Sequence, residues 1–290
     1  MEKQVLIVGA SSSIGKNVLE QLPSGWNVKA TYCTSFDFSS FCKKFPDVTP
    51  ICLDLKDPKS ISELSKKFSS FDIIIYIAAN SDPKKSIIDP SNDLMVNANG
   101  VIGLLENVSC KRFIYISSGA VYLDNKFPYV ISKLAGEQYV SWYAKTKGFE
   151  YVVLRLFEAF GPYSPERKIF RKVAEAISKG EKSITLYGDG TNLVDPLYIS
   201  ETARGIIAAA QGKKSNVTID LCTGNPISIN EVVMKIANIF KAKVNLKHQG
   251  EPVEKVFFKG NPKPMKDFFG FAPEISFEEG MRLWKERNLI

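Results

Sequence analysis

The feature that most constrains this chain is a rhythm. Short, almost wholly apolar runs alternate with helical stretches from the N-terminus to about residue 160. The runs are "QVLIVGA" (4–10), "WNVKATY" (26–32), "TPICLDL" (49–55), "DIIIYIAA" (72–79), "RFIYISS" (112–118) and "YVVLRLF" (151–157). Strands this apolar are buried on both faces, the situation of a parallel sheet covered by helices. Helical stretches fall at 14–22, 58–68, 92–107 and 130–147. Asp57-Pro58 gives the second of these an N-cap and a first-turn proline. The expected fold is α/β, a doubly wound parallel sheet of Rossmann type. After "FGPYSPE" (160–166) the pattern loosens. A helix is expected over 165–179, a strand at "SITLYG", a turn at "GDGTN", a helix near 200–211, a strand at "VTIDLCTG" and a helix over 229–240. The tail "GNPKPMKDFFGFAP" is rich in Pro, Gly and aromatics. This reads as a Rossmann domain over 1–160 and a smaller C-terminal lobe over 161–290, partly woven back into the sheet at about 193–224.

The first strand runs straight into "VGASSSIG" (8–15), spaced Gly9-x-x-Ser12-x-x-Gly15. Gly9 permits a tight turn and Gly15 a close helix-to-sheet contact. Backbone N–H groups at the turn then face a pyrophosphate, with Ser11, Ser12, Ser13 and the adjoining Ile14 around it. This is the signature of dinucleotide binding. An acidic residue at the end of the second strand would bond the ribose 2′-hydroxyl, but Tyr32-Cys33-Thr34-Ser35 stands there. No carboxylate repels a 2′-phosphate and no arginine binds one, so NAD and NADP both remain open.

Bulk properties exclude several classes. No apolar run approaches the roughly 18 residues that span a membrane, and "VLIVGA" is too short for a signal-peptide core. The expected setting is cytoplasmic. Five scattered cysteines without a C-x-x-C pair suggest reduced thiols rather than a disulfide frame or zinc site. His248 is the only histidine, which rules out a multi-histidine metal centre. No metal is expected. The net charge of +7 suits anionic ligands, but the lysines are dispersed and no basic block interleaves with aromatics. Nucleic acid is therefore a poor fit.

Three Tyr-x-x-x-Lys pairs occur: Tyr122/Lys126, Tyr129/Lys133 and Tyr143/Lys147. Context selects the middle one. The fifth strand ends at Ser117-Ser118, and Tyr129 and Lys133 lie one helical turn apart at the start of the following helix. The first pair lies in a turn with Asp124, Asn125 and Pro128. The third ends its helix far from Ser118. A tyrosine near pKa 10 is a poor base at neutral pH, but a nearby ammonium lowers that pKa. Tyr129 can then exchange a proton with a substrate hydroxyl while hydride moves to or from a nicotinamide, with the Ser118 hydroxyl holding the same oxygen.

With these residues the chain resembles the extended short-chain dehydrogenases/reductases, the NAD-dependent epimerase/dehydratase family. The likeness covers nearly the whole chain: Gly9/Ser12/Gly15, "LDLKD" (53–57), "IAA" (77–79), Asn97 in "NANGVIGLLE", "SSGAVY", "YVISK", "LRLFEAFGP" (154–162), "YGDG" (187–190) and "FGFAPEISFEEG" (269–280). The resemblance implies that Ser118, Tyr129 and Lys133 are catalytic, Lys133 also gripping the nicotinamide ribose. It sets Tyr32, Asp54 and Leu55 toward the adenosine, and Ala78, Ala79, Asn97 and Phe157 along the cofactor path. Asn80, Ser81, Ser118 and Glu158 are implied around a small-molecule substrate. Relatives often pair through two long helices, here near 92–107 and 130–147, which implies a homodimer.

The departures from the family limit the substrate. Relatives that are 4,6-dehydratases resemble Ser-Thr-Asp-Glu where this chain has Ser117, Ser118, Gly119 and Ala120. Glycine and alanine transfer no proton, so dehydration is not expected. The segment between Ser118 and Tyr129 is short for the family. Glu158 stands where many relatives bond the sugar-nucleotide diphosphate with Asn, and Val194 where many use Arg. A carboxylate repels phosphate and valine has no charge, so that clamp is weakened unless Lys168, Arg171 or Lys259 compensates. Three readings follow. The first is a nucleotide-sugar 4-epimerase or 4-keto-sugar reductase. The second is a dehydrogenase or reductase of a non-nucleotide alcohol, sugar or lactone. The third is a dinucleotide-sensing regulator, which has little need of Ser118, Tyr129 and Lys133.

Overall fold

The structure, a computed structural model, describes residues 2–35, 37–123, 126–251 and 259–287. Asp124 and Asn125, assigned above to a turn, lie outside the described residues. The N-terminal half alternates β1 (Lys3–Val8), α1 (Ser13–Leu19), β2 (Trp26–Tyr32), α2 (Phe38–Cys42), β3 (Val48–Cys52), α3 (Pro58–Lys67) and β4 (Ser70–Tyr76). It continues through α4 (Pro83–Ile88), α5 (Pro90–Leu94), α6 (Gly100–Asn107), β5 (Ser109–Ser118), α7 (Pro128–Lys147) and β6 (Glu150–Leu156). The remainder comprises β7 (Glu158–Phe160), α8 (Ile169–Ser178), β8 (Ser183–Tyr187), β9 (Leu193–Val194), β10 (Pro196–Tyr198), α9 (Ile199–Gln211) and β11 (Val217–Leu221). It ends with β12 (Ile227–Ser228), α10 (Ile229–Ile239), β13 (Asn245–Gln249), α11 (Lys263–Phe269) and α12 (Phe277–Glu286).

Seven strands form one sheet in the order β11-β6-β5-β4-β1-β2-β3, all parallel. The order reverses beside β1, which leaves a crevice at the carboxyl ends of β1 and β4. Period-two alternation sorts the strand side chains onto two faces. Val5, Ile7, Val28, Ile73, Ile75, Ile114 and Val152 pack on one side with residues of α1 and α9. Leu6, Val8, Ile74, Tyr76, Phe113, Tyr115 and Val153 pack on the other with residues of α3, α6 and α7. A third cluster, including Phe160, Phe170, Val232, Phe277 and Trp284, holds the C-terminal lobe together.

The helix-end signals act as the sequence suggests. Asp57 caps α3, its Oδ1 accepting from the Lys59 N–H at 3.0 Å. Pro128, assigned above to the turn, instead opens α7, where its fixed φ suits the first helical position, and Gly148 ends the helix in the left-handed region at φ +77°. Twenty residues make α7 about 30 Å long. One element differs from expectation. The helix over 92–107 is split: α5 and α6 are joined by a π-helical turn, Met95–Asn99. The aromatic tail, for which the sequence suggested no element, forms α11, and Met265 of α11 and Phe271 after it pack into the core on the α1/α9 side of the sheet. Their apolar side chains are too closely spaced among Pro and Gly for a clear helical period.

Candidate active site

The crevice holds two connected cavities. One, of about 450 Å³, is lined by Gly9, Ser11, Ser12, Ser13, Ile14, Tyr32, Asp54, Leu55, Ala78 and Ala79, with Ser81 at its inner end. The other, of about 340 Å³, is lined by Ser118, Tyr129, Lys133, Phe157 and Glu158. Ser13, Ile14, Ile77, Ala79 and Ser81 border both. The path from the glycine turn to Tyr129 is thus continuous, and each cavity is of ligand size.

The turn is built from backbone. Gly9 has φ +81°, and a Cβ there would meet the Ala78 backbone at 2.7 Å. Its N–H donates to Thr31 Oγ1 at 3.0 Å, a tie from the end of β2 that the sequence did not reveal. Ser12 is the N-cap of α1, its Oγ accepting from the Gly15 N–H at 3.1 Å. A Cβ on Gly15 would come within 2.5 Å of Ala10, so this glycine serves packing and does not line either cavity. The unbranched turn leaves an open cradle that fits a dinucleotide pyrophosphate.

At the other end Tyr129 sits in the first turn of α7 and Ser118 at the end of β5. Ser118 Oγ accepts from the Ala120 N–H at 3.2 Å and faces the phenol of Tyr129 across the cavity they both line. Burial pushes the Tyr129 phenol up to about 12; the Ser118 hydroxyl pulls it down, Glu158 and Asp93 push it up, and Arg167 pulls it down. The expected lowering by Lys133 is not found. The lysine is only 1% exposed. Its amine donates to the Ile116 carbonyl at 2.5 Å and lies 4.3 Å from the Tyr115 ring centroid, so its direct bond goes to the strand rather than to the phenol. Burial lowers Lys133 itself to about 7, against the opposing pull of Glu137 and Asp93.

Two of the expected contact residues stand behind the cavities. Asn97 is fully buried in the π-helical turn. Its Oδ1 accepts from the Asn80 N–H at 2.8 Å and its Nδ2 donates to Ser132 at 3.0 Å and Asp93 at 3.2 Å. Asn80 donates its side chain to Asp93 at 3.1 Å. Both amides brace the wall because the carboxylate beneath them attracts their donors. Glu158 does line the cavity, but it is not a bare negative charge: Lys168 Nζ lies 2.5 Å from its Oε1. Val194 lines the same cavity. Arg171 is turned away to Glu175 at 2.6 Å, and Lys259 lines neither cavity.

Arg167 was not foreseen from the sequence. It lines the catalytic cavity and reaches across to Ser81 Oγ at 2.9 Å and Asp82 at 3.3 Å. Its only local signal was a charge after "YSPE". Also missed was the buried network under Ser117: Ser117 Oγ donates to Glu137 Oε1 at 2.6 Å, and Arg155 Nη2 lies 2.7 Å from Glu137 Oε2. A charged residue inside a helix gives no sign that the face is buried. Among the described residues no cluster of His, Cys, Asp and Glu could hold a metal ion. No helix there is long and apolar enough to cross a membrane.

Residues 5–222 match the profile of the NAD dependent epimerase/dehydratase family. A putative UDP-glucose 4-epimerase of Methanocaldococcus jannaschii is 24% identical over 98% of this chain and 99% of its own length. A GDP-6-deoxy-D-mannose reductase of Pseudomonas aeruginosa is 24% identical over 81% of this chain and 86% of its own. Among solved structures, a UDP-N-acetylglucosamine 4-epimerase of Methanobrevibacter ruminantium in complex with UDP-N-acetylmuramic acid superposes with a TM-score of 0.88. It is 25% identical and 99% of each chain is covered. The profile spans the sheet, the glycine turn and the Ser118–Tyr129–Lys133 constellation, and the chain belongs to the NAD dependent epimerase/dehydratase family of enzymes.

Proposed function

We propose that this enzyme moves hydride at a sugar carbon of a sugar nucleotide, as a 4-epimerase or a 4-keto-sugar reductase using NAD or NADP. The observation that carries the reading is the meeting of Ser118, Tyr129 and Lys133 in one cavity that opens into the cavity of the glycine turn. A dinucleotide laid along that path would be held by Gly9 to Ile14 at its pyrophosphate and by Asp54 and Leu55 at its adenosine, with Lys133 at the nicotinamide ribose. Residues 1–160 then form the cofactor part and 161–290 the substrate part. When bound, the nicotinamide supplies the hydride acceptor or donor.

The chain's own residues handle the proton. Tyr129 rests as a neutral phenol, the form that protonates a ketone oxygen. The reverse direction needs the phenolate, which the Ser118 hydroxyl and Arg167 favour and Glu158 opposes. Gly119 and Ala120 offer no second acid or base at the strand end, which supports redox or epimerisation without dehydration. The second reading, a non-nucleotide alcohol, sugar or lactone, is favoured by Val194 in the cavity wall. α7 buries Val130, Val140 and Tyr143 yet exposes Ile131, Tyr139 and Trp142, an apolar face suited to pairing two subunits.

Thermal shift with UDP- and TDP-sugars, run beside simple sugars and polyols, tests the substrate class. Stabilisation by the nucleotides alone is expected. Stabilisation by polyols alone replaces the first reading with the second. Interconversion with no net absorbance change at 340 nm marks an epimerase; net consumption or production marks a reductase or dehydrogenase.

A further inference from the structure

Behind the catalytic helix lies a carboxylate that the proposed proton transfer does not use. Asp93 sits in α5 with no surface exposed. Its Oδ2 accepts from Ser132 Oγ at 2.6 Å, and its Oδ1 from Asn80 at 3.1 Å and Asn97 at 3.2 Å. Every one of these partners is neutral. Among the described residues no cation lies within ion-pair distance of it. Burying an unpaired carboxylate is expensive, and three neutral donors offset only part of that cost. Its partner Ser132 immediately precedes Lys133, whose buried amine likewise has no ion-pair partner among the described residues.

We propose that Asp93 is a counter-charge of Lys133, a positioning residue that holds the start of α7 through Ser132 and favours the ammonium form of the lysine in its closed site. The inference rests on the reading of Lys133 as part of the catalytic set. The other groups around the amine are neutral or already paired. On α7, Tyr129 is a neutral phenol and Glu137 is already held by the Arg155 guanidinium from β6 and by Ser117. From β5 come the Tyr115 ring, whose phenol is also neutral, and the Ile116 carbonyl. Among the described residues around the amine, α5 brings the carboxylate that no arginine or lysine holds in an ion pair. Burial, Glu137 and Asp93 are the influences on Lys133, and the two carboxylates oppose the burial.

Removing the Asp93 charge makes the ammonium harder to keep, so the lysine should release its proton at lower pH. The side-chain amine of Lys133 can be followed by NMR in ¹³C,¹⁵N-lysine-labelled protein and assigned by its loss in Lys133→Met. In Asp93→Asn, which keeps the size and most of the hydrogen bonding, the midpoint should fall by about one pH unit, a tenfold loss of proton affinity. Ser132→Ala, which keeps the charge, should move it by less than about a third of that. An unchanged midpoint in Asp93→Asn overturns the proposal and leaves Asp93 a brace for the two asparagines. If Asp93→Asn does not fold, the same coupling is read from the other partner. In Lys133→Met the Asp93 carboxyl should titrate about tenfold higher, and no change there overturns the proposal equally. Turnover of UDP-glucose with NAD⁺ is measured on the wild-type sample alongside. Its absence strikes the sugar-nucleotide reading and leaves the titration result standing.

Discussion

The two ends of the crevice are made in opposite ways. The glycine-turn end is built from backbone and small side chains contributed by one short run, Gly9 to Gly15, backed by Ala78 and Thr31. The catalytic end is built from long, charged or phenolic side chains that arrive from β5, α7, β7 and the segment before α8. A backbone site tolerates little change of shape, because a Cβ at Gly9 strikes main chain. A side-chain site tolerates change of shape and is sensitive to change of charge. Substitutions at the two ends should therefore fail differently.

The largest effect belongs to the catalytic end. Tyr129→Phe is expected to lower turnover by about 10²- to 10⁴-fold, the usual worth of a positioned acid or base. Cofactor affinity, read by fluorescence titration with NAD(P)H, and the melting temperature should hardly move. Turnover within about threefold of wild type would falsify the role given to Tyr129. Gly9→Ala should do the reverse. The positive φ and the 2.7 Å approach to Ala78 predict a loss of about 1–3 kcal/mol of stability together with much weakened dinucleotide binding. A Gly9→Ala protein that melts like wild type and binds cofactor normally would erase the contrast between the ends.

That contrast also explains what could be read in advance. The glycine turn is contiguous, its steric demands are local, and its residues fall where the spacing put them. Tyr129 and Ser118 were legible because a strand end and the next helix start must meet at the crevice. Arg167 was not, since its reach to Ser81 depends on how a loop eighty-odd positions away folds over the cleft. Asp93 was not, because an aspartate in an amphipathic helix reads as surface until α7 covers it. The phenol's acidity was misjudged for a related reason. Sequence spacing puts Lys133 on the same face as Tyr129, but not whether its amine turns to the phenol or to the Ile116 carbonyl.

Lys133 gives a pH test of that burial. Its pKa in the folded chain is lowered from the model-peptide 10.5 to about 7. Between these values the unfolded chain holds a proton that the folded chain lacks, so this residue makes stability rise with pH from about 7 toward 10.5. Below about 7 both states are protonated and it contributes no slope. Subtracting the urea-unfolding free energies of Lys133→Met from those of wild type at several pH values should reveal that rise. A flat difference would mean the amine is not desolvated in solution. On the outer face of the same helix, Trp142→Glu should convert a dimer to a monomer by sedimentation with little change in fold; a wild-type monomer would remove pairing from the proposal.

The smallest expected effect lies at Glu158, and it is the one that separates charge from shape at the catalytic end. Glu158 and Lys168 are each about one-third exposed, so the pair contributes no more than about 1 kcal/mol to stability. Glu158→Gln keeps the volume and frees the ammonium of Lys168 inside the cavity. Because Glu158 pushes the Tyr129 phenol up, its neutral replacement should move the alkaline limb of the pH–rate profile to lower pH. The freed cation should also tighten binding of an anionic UDP-sugar severalfold while leaving neutral polyols unaffected. An affinity gain without the pH shift would place Glu158 near the substrate's phosphates but not near the reacting oxygen. A pH shift without the gain would place it near the phenol alone. With neither, its influence would end at Lys168, and the charge of the cavity wall would have no part in choosing the substrate.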